Sequence, residues 1–146
     1  MVYTKSLKSY NRTRIETASK MELVVMCYER AIQLLRQAKD HFHAGEINQK
    51  AFKMQKALDI INELQGCLNL QDGGQIAINL DSIYTYIIKR LLLGDIHKDI
   101  TALDESIRLL SELKEAWDQI QADYEDRIDP QQAHDAEGHR LEQIAV

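Results

Sequence analysis

Residues that interrupt regular structure are scarce in this chain. Its 146 residues include one proline, Pro130, and six glycines. Proline disrupts helix and sheet interiors and glycine weakens both, so the composition leaves room for long helices, and no strand pattern competes with them. Cysteine is limited to Cys27 and Cys67, too few for a disulfide framework. Both fall inside helical patterns, and the first twenty residues lack the apolar core of a secretory signal. The expectation is a cytoplasmic protein with reduced thiols. No apolar run approaches the roughly 18 residues needed to cross a bilayer, so no insertion into a membrane is expected.

Charge is plentiful but divided. The net charge is −5. Lys5, Lys8, Arg12, Arg14 and Lys20 stand against Glu16 near the start, whereas acids dominate from residue 121 onward. Ends of opposite sign, with no basic stripe between them, argue against a nucleic-acid partner. The length suits one domain.

Apolar spacing divides the chain into an arm, four helices and a tail. Residues 1–18 form the arm, with Tyr3, Leu7 and Tyr10 along one helical edge. Ser19 and Glu22 have the spacing of a capping box, and the first helix runs to about Ala44 on Val24, Cys27, Tyr28, Ala31, Leu34, Leu35, Ala38 and Phe42, with Gly45 as its left-handed stop. The second runs from Ile47 to about Leu68 on Ile47, Ala51, Met54, Leu58, Ile61, Gln65 and Leu68. Asn69–Gly74 reads as a turn. The third helix, to Leu93, uses Ile76, Leu80, Ile83, Tyr84, Ile87 and Leu91, with Gly94 ending it and Asp95 capping the fourth. That last helix uses Ile96, Ile100, Leu103, Ile107, Leu110, Leu113, Trp117, Ile120 and Tyr124. The expected fold is all-α: an antiparallel up-down four-helix bundle over 19–128, followed by a polar tail over 129–146.

The third helix holds more apolar surface than one packed face requires. Ile78, Tyr86, Leu92 and Leu93 lie off its core stripe. Ile60 and Leu64, with Cys67, form a second stripe on the second helix, and Val25 and Ile32 stand one heptad apart on the first. Surplus apolar surface on a helix marks a place where something else packs. If these helices are neighbours, the surplus lines a groove for an amphipathic or unfolded segment. The alternative occupant is a second copy, giving a weak homodimer or a self-associating structural bundle.

Chemistry is hard to find in the same residues. Bundles that hold two metals use paired Glu-x-x-His motifs. Here Asp40 with His43 is the nearest approach, His41 and His43 point to different sides, and His97 stands apart from them. His41 precedes Gly45 by four residues, but Ala44 stands where a phosphorelay histidine motif places lysine. Neither cysteine has a histidine positioned to activate it. No enzyme, cofactor or metal site is expected.

Five segments, in this order and spacing, carry a resemblance to a known family. Leu7 and Tyr10 close the arm. Thr17-Ala18-Ser19 leads into Leu23 and Met26-Cys27-Tyr28. Lys56-Ala57-Leu58-Asp59-Ile60-Ile61-Asn62-Glu63-Leu64 is followed by Gly73-Gly74-Gln75-Ile76-Ala77-Ile78-Asn79-Leu80, Tyr84-Thr85-Tyr86 and Arg90-Leu91-Leu92. Glu115-Ala116-Trp117 closes the match. Over roughly residues 3–121 the chain resembles the flagellin-specific secretion chaperones, the FliS family. The resemblance implies a helical bundle that binds the disordered carboxy-terminal region of new flagellin, prevents its polymerisation in the cytoplasm, and delivers it to the flagellar type III export apparatus. It also implies that the arm is a lid over part of the binding surface, with Leu7 and Tyr10 serving there and in docking at the export gate. Lys20 departs from a usual proline and Arg30 from a usual small residue, and the tail has no counterpart. The partner-binding candidates are thus Leu7, Tyr10, Val25, Ile32, Ile60, Leu64, Ile78, Tyr86 and Leu93.

Overall fold

The computed structural model describes residues 20–127, apart from the side chains of Tyr124, Glu125 and Arg127. Within them the chain forms four α-helices: α1 (Lys20–His43), α2 (Ile47–Gly66), α3 (Gly74–Ile96) and α4 (Thr101–Arg127). Local chemistry explains each turn between them. Gly45 adopts φ 74, and the Glu46 and Gly45 amides donate to the His41 and Phe42 carbonyls at 2.9 and 3.1 Å. This closes α1 in a Schellman motif, for which glycine is the unstrained residue. At the second turn the Asn69 side chain accepts from the Asp72 amide at 3.0 Å. The Gly73 amide donates to the Asn69 carbonyl at 2.8 Å.

The third turn departs from expectation. Gly94 does not end α3, and Asp95 does not cap α4. The helix continues to Ile96, and Lys98 makes the left-handed turn at φ 54. Its amide donates to the Asp95 carbonyl at 3.3 Å, and the Asp99 amide to Gly94 at 2.8 Å. Asp99 caps α4 by accepting from the Thr101 amide at 3.0 Å and its hydroxyl at 2.6 Å. The glycine at 94 serves packing: a Cβ there would lie 2.3 Å from the Ala102 Cβ.

Each helix packs on its chain neighbours, and α4 closes back onto α1. Helix α1 contributes Tyr28, Ala31, Leu34, Leu35 and Ala38, all buried, to a core shared with Leu58, Ile61, Leu80, Ile87, Leu91, Leu103 and Leu110. Each large aliphatic side chain buried this way contributes roughly 1.5–3 kcal/mol. Polar tips enter the same core. Trp117 Nε1 donates to the Tyr28 hydroxyl at 3.1 Å, and the hydroxyls of Tyr28 and Tyr84 share a hydrogen bond.

The α2 seam also differs from its sequence pattern. Ile47 and Ala51 are exposed, and Lys50 is buried. The Lys50 ammonium pairs with Asp95 and sits 5.7 Å from the Phe42 ring centre, so its stem fills apolar space while its charge is met. Ile76 and Ile96, expected in the core stripes, are exposed as well.

Two substitutions test the α3–α4 turn by urea midpoint. Gly94→Ala forces the helices apart and is expected to destabilise by about 1–3 kcal/mol, with Ala102→Gly restoring much of the loss. Lys98→Gly removes left-handed strain and is expected to stabilise by about 0.5–1 kcal/mol.

Candidate docking surface

The expected second stripes on α1 and α2 are core. Val25, Ile32, Ile60 and Leu64 are only 7, 5, 1 and 7% exposed. A bundle helix has a neighbour on either side and needs apolar residues on both flanks. The offset pairs are those second flanks. On α2 the flank toward α3 is marked by Gln65, whose Nε2 donates to Asp81 Oδ1 at 3.0 Å and Thr85 Oγ1 at 2.8 Å. Ile60 and Leu64 lie around the helix from it. Cys67 is exposed. Leu7 and Tyr10 lie outside the described residues.

Helix α3 is different. Ile78, Tyr86 and Leu93 are 49, 48 and 53% exposed, and Leu92 and Ile96 are also exposed. At 100° per residue these side chains fall on the half of α3 opposite Leu80, Tyr84, Ile87 and Leu91. The helix is therefore apolar on two faces, one sealed and one open. Ile78 and Ile96 mark the ends of a strip roughly 27 Å long, at 1.5 Å of rise per residue. Sequence spacing identified Ile78, Tyr86, Leu92 and Leu93 as surplus. It missed Ile96, which the pattern placed in the α4 stripe, and did not single out Leu92 as a binding residue.

Tyr86 is anchored at one edge of this face. Its hydroxyl donates to the Glu105 carboxylate, while Arg90 Nε donates to Glu105 Oε2 at 2.8 Å. The Arg90 guanidinium also reaches Asp99 at 3.3 Å and Thr101 Oγ1 at 3.0 Å. Hydrogen bonds from Tyr86 and then Arg90 hold the Glu105 carboxyl below its ordinary value of 4.5. Those from Thr101, then Arg90, do the same for Asp99, ordinarily at 3.8. Bonding to Glu105 raises the Tyr86 phenol. The network ties α3 to α4 and holds the Tyr86 ring in a fixed place beside the strip.

Other concave and reactive features lie elsewhere. An open cleft of about 410 Å³ between α1 and α4 is lined by Glu29, Arg36, Lys114, Glu115 and Asp118, with Ile32 beneath. Lys114 pairs there with Asp118 at 2.7 Å and Glu29 at 3.7 Å. Burial, followed by the nearby Cys67 and Glu63, pushes the Cys27 thiol up to about 11, which keeps it from acting as a nucleophile at neutral pH. Among the described residues no group of three His, Cys, Asp or Glu side chains could hold a metal ion. No described helix is long and apolar enough to cross a membrane.

Comparison with known proteins gives a consistent result. The family described as "Flagellar protein FliS" matches residues 3–124. A flagellar secretion chaperone FliS of Vibrio cholerae is 37% identical over 123 residues, covering 82% of this chain and 90% of the relative. The FliS of Salmonella typhimurium is 36% identical over 125 residues, covering 82% and 93%. FliSB of Pseudomonas aeruginosa is 33% identical over 124 residues, covering 82% and 98%.

The α3–α4 network has a pH signature. A carboxyl held below its ordinary value stabilises the fold fully above that value and loses the contribution as pH falls through the folded one. Stability is therefore expected to drop as pH falls below about 4.5 and then 3.8, the ordinary values of Glu105 and Asp99. Glu105→Gln should lower the urea midpoint at pH 7 and flatten part of that acid slope.

Proposed function

The chain belongs to the FliS family of flagellar secretion chaperones, and from that premise we propose that it holds the carboxy-terminal segment of flagellin along the outer face of α3. In doing so it keeps the segment from assembling early and presents it to the flagellar type III export apparatus. One observation carries this reading: α3 keeps Ile78, Leu92, Leu93 and Ile96 exposed while its opposite face is already satisfied by the core. A client segment that cannot bury its own apolar side alone would fold as it lies down there. Coupled folding of this kind buries roughly 1,000–3,000 Å² and costs several kcal/mol in ordering. Covering that side of the client denies it to the next flagellin subunit.

Membership of the family supports the other parts of this reading. The work is done in the cytoplasm, where flagellin is made. Residues 1–18 act as an arm that competes for the same surface, with Leu7 and Tyr10 as its apolar contacts and as contacts to the export gate. The bundle over 19–128 is the working unit, and 129–146 is a polar extension of it. Val25, Ile32, Ile60 and Leu64 belong to the core and take no part in this surface. No catalytic step is required of any side chain.

The test is a complex of the full chain with a flagellin carboxy-terminal peptide, followed by light scattering and calorimetry. A one-to-one complex with a gain of helix is expected. Ile78→Asp or Leu92→Asp should weaken it about tenfold or more, as for a central apolar contact, while leaving the urea midpoint nearly unchanged. A tight homodimer that ignores the peptide would overturn the reading in favour of self-association.

A further inference from the structure

The open face of α3 is not uniformly apolar. Ile78, Lys89, Leu92 and Ile96 fall within a sector of roughly 60° at 100° per residue. The charges that flank this sector are already engaged. Asp81 accepts from Gln65 at 3.0 Å, and Arg90 is held by Glu105 and Asp99. Lys89, exposed in the middle of the line, has no ion pair or hydrogen bond among the described residues. Whatever covers the strip from Ile78 to Ile96 must cover this ammonium too. Withdrawing a cation from water without a partner is costly. An apolar segment lying over the strip would therefore be opposed at its centre unless it brought an acceptor with full negative charge.

Resting on the client-binding reading above, we propose that Lys89 is a selectivity residue, and that the segment docked on α3 is a helix with a carboxylate inside its apolar face, flanked by apolar residues about three turns to one side and one to two turns to the other. The occupant is thus an amphipathic helix with an acid set inside its apolar face. A second copy of this chain fits poorly. Laid antiparallel about the strip's midpoint, its α3 sets Thr85 against Lys89 and Ser82 against Leu92. Laid parallel in register, it sets lysine against lysine. Neither arrangement supplies the missing carboxylate. The charge also has a kinetic consequence, because an exposed cation on a binding face speeds encounter with an acidic segment and makes that encounter depend on salt.

The experiment uses the full chain and the carboxy-terminal peptide of flagellin from the same organism. Lys89→Gln is expected to weaken binding by about three- to fivefold and Lys89→Glu by about tenfold or more, mostly through faster dissociation, with a smaller loss of association rate. Each acid of the peptide is then changed to lysine in turn and measured against Lys89→Glu. One of these changes should recover most of the lost affinity while weakening binding to the unsubstituted chain. If Ile78→Asp and Leu92→Asp weaken binding but Lys89→Glu does not, the carboxylate partner is wrong and the docking face stands. Lys89→Glu effects that no peptide substitution recovers also overturn the pairing. If none of the three substitutions alters binding, the docking face itself is wrong.

Discussion

Three polar aromatic tips meeting in a buried core set the geometry on which the surface of this bundle depends. Tyr28 of α1 takes a hydrogen bond from Trp117 of α4 and shares another with Tyr84 of α3. Burial raises both phenols, so they remain neutral. A buried hydroxyl left without a partner costs about 1–3 kcal/mol, which makes any rotation of α3 that pulls Tyr84 from Tyr28 unfavourable. Fixing Tyr84 inward fixes what points outward. Ile78, Leu92, Leu93 and Ile96 are exposed because α3 cannot turn them in without withdrawing Tyr84.

The outer faces of α3 and α4 illustrate two solutions to the same problem. Helix α4 turns paired charges to water, with Arg108 and Glu112 at 3.0 Å and Lys114 and Asp118 at 2.7 Å. Such i, i+4 pairs add a few tenths of a kcal/mol each and keep a face soluble. Helix α3 has hydroxyls, a lysine with no ion pair among the described residues, and large aliphatics in the corresponding place. Exposed aliphatic surface costs roughly 25 cal/mol for every square ångström left in water. Nothing in the packing of α3 calls for apolar residues on that outer face, since Ala77, Leu80, Tyr84, Ile87 and Leu91 already fill its inner one.

Much of this arrangement was legible in the sequence, and the failures have physical causes. Helix number, the turn at Gly45 and the core residues of α1 follow from spacing, because burial on one face imposes the 3.6-residue period. Spacing cannot say whether an offset apolar residue faces solvent or a second neighbour. Ile78 and Ile60 look alike in the pattern, yet one is half exposed and the other sealed. The difference is set by where α1 lies, which is a tertiary fact. Lys50 was invisible as a core residue because its partner, Asp95, is 45 positions away. Gly94 was misread because glycine serves two purposes, a left-handed turn and a close approach, and only the second applies against Ala102.

A surface built this way has consequences for how a client would be held and let go. The core of α3 is complete without an occupant, so docking on its outer face does not require the bundle to open. The ordering cost then falls on the incoming segment, which must fold as it binds. The complex is correspondingly weaker than its buried area alone would suggest. For a carrier that must surrender its client this is an advantage. A competitor for the outer face, or a pull on the client from beyond it, shifts the balance without unfolding the bundle. On that reading the Tyr28, Tyr84 and Trp117 contact would not have to open for the segment to dock or leave.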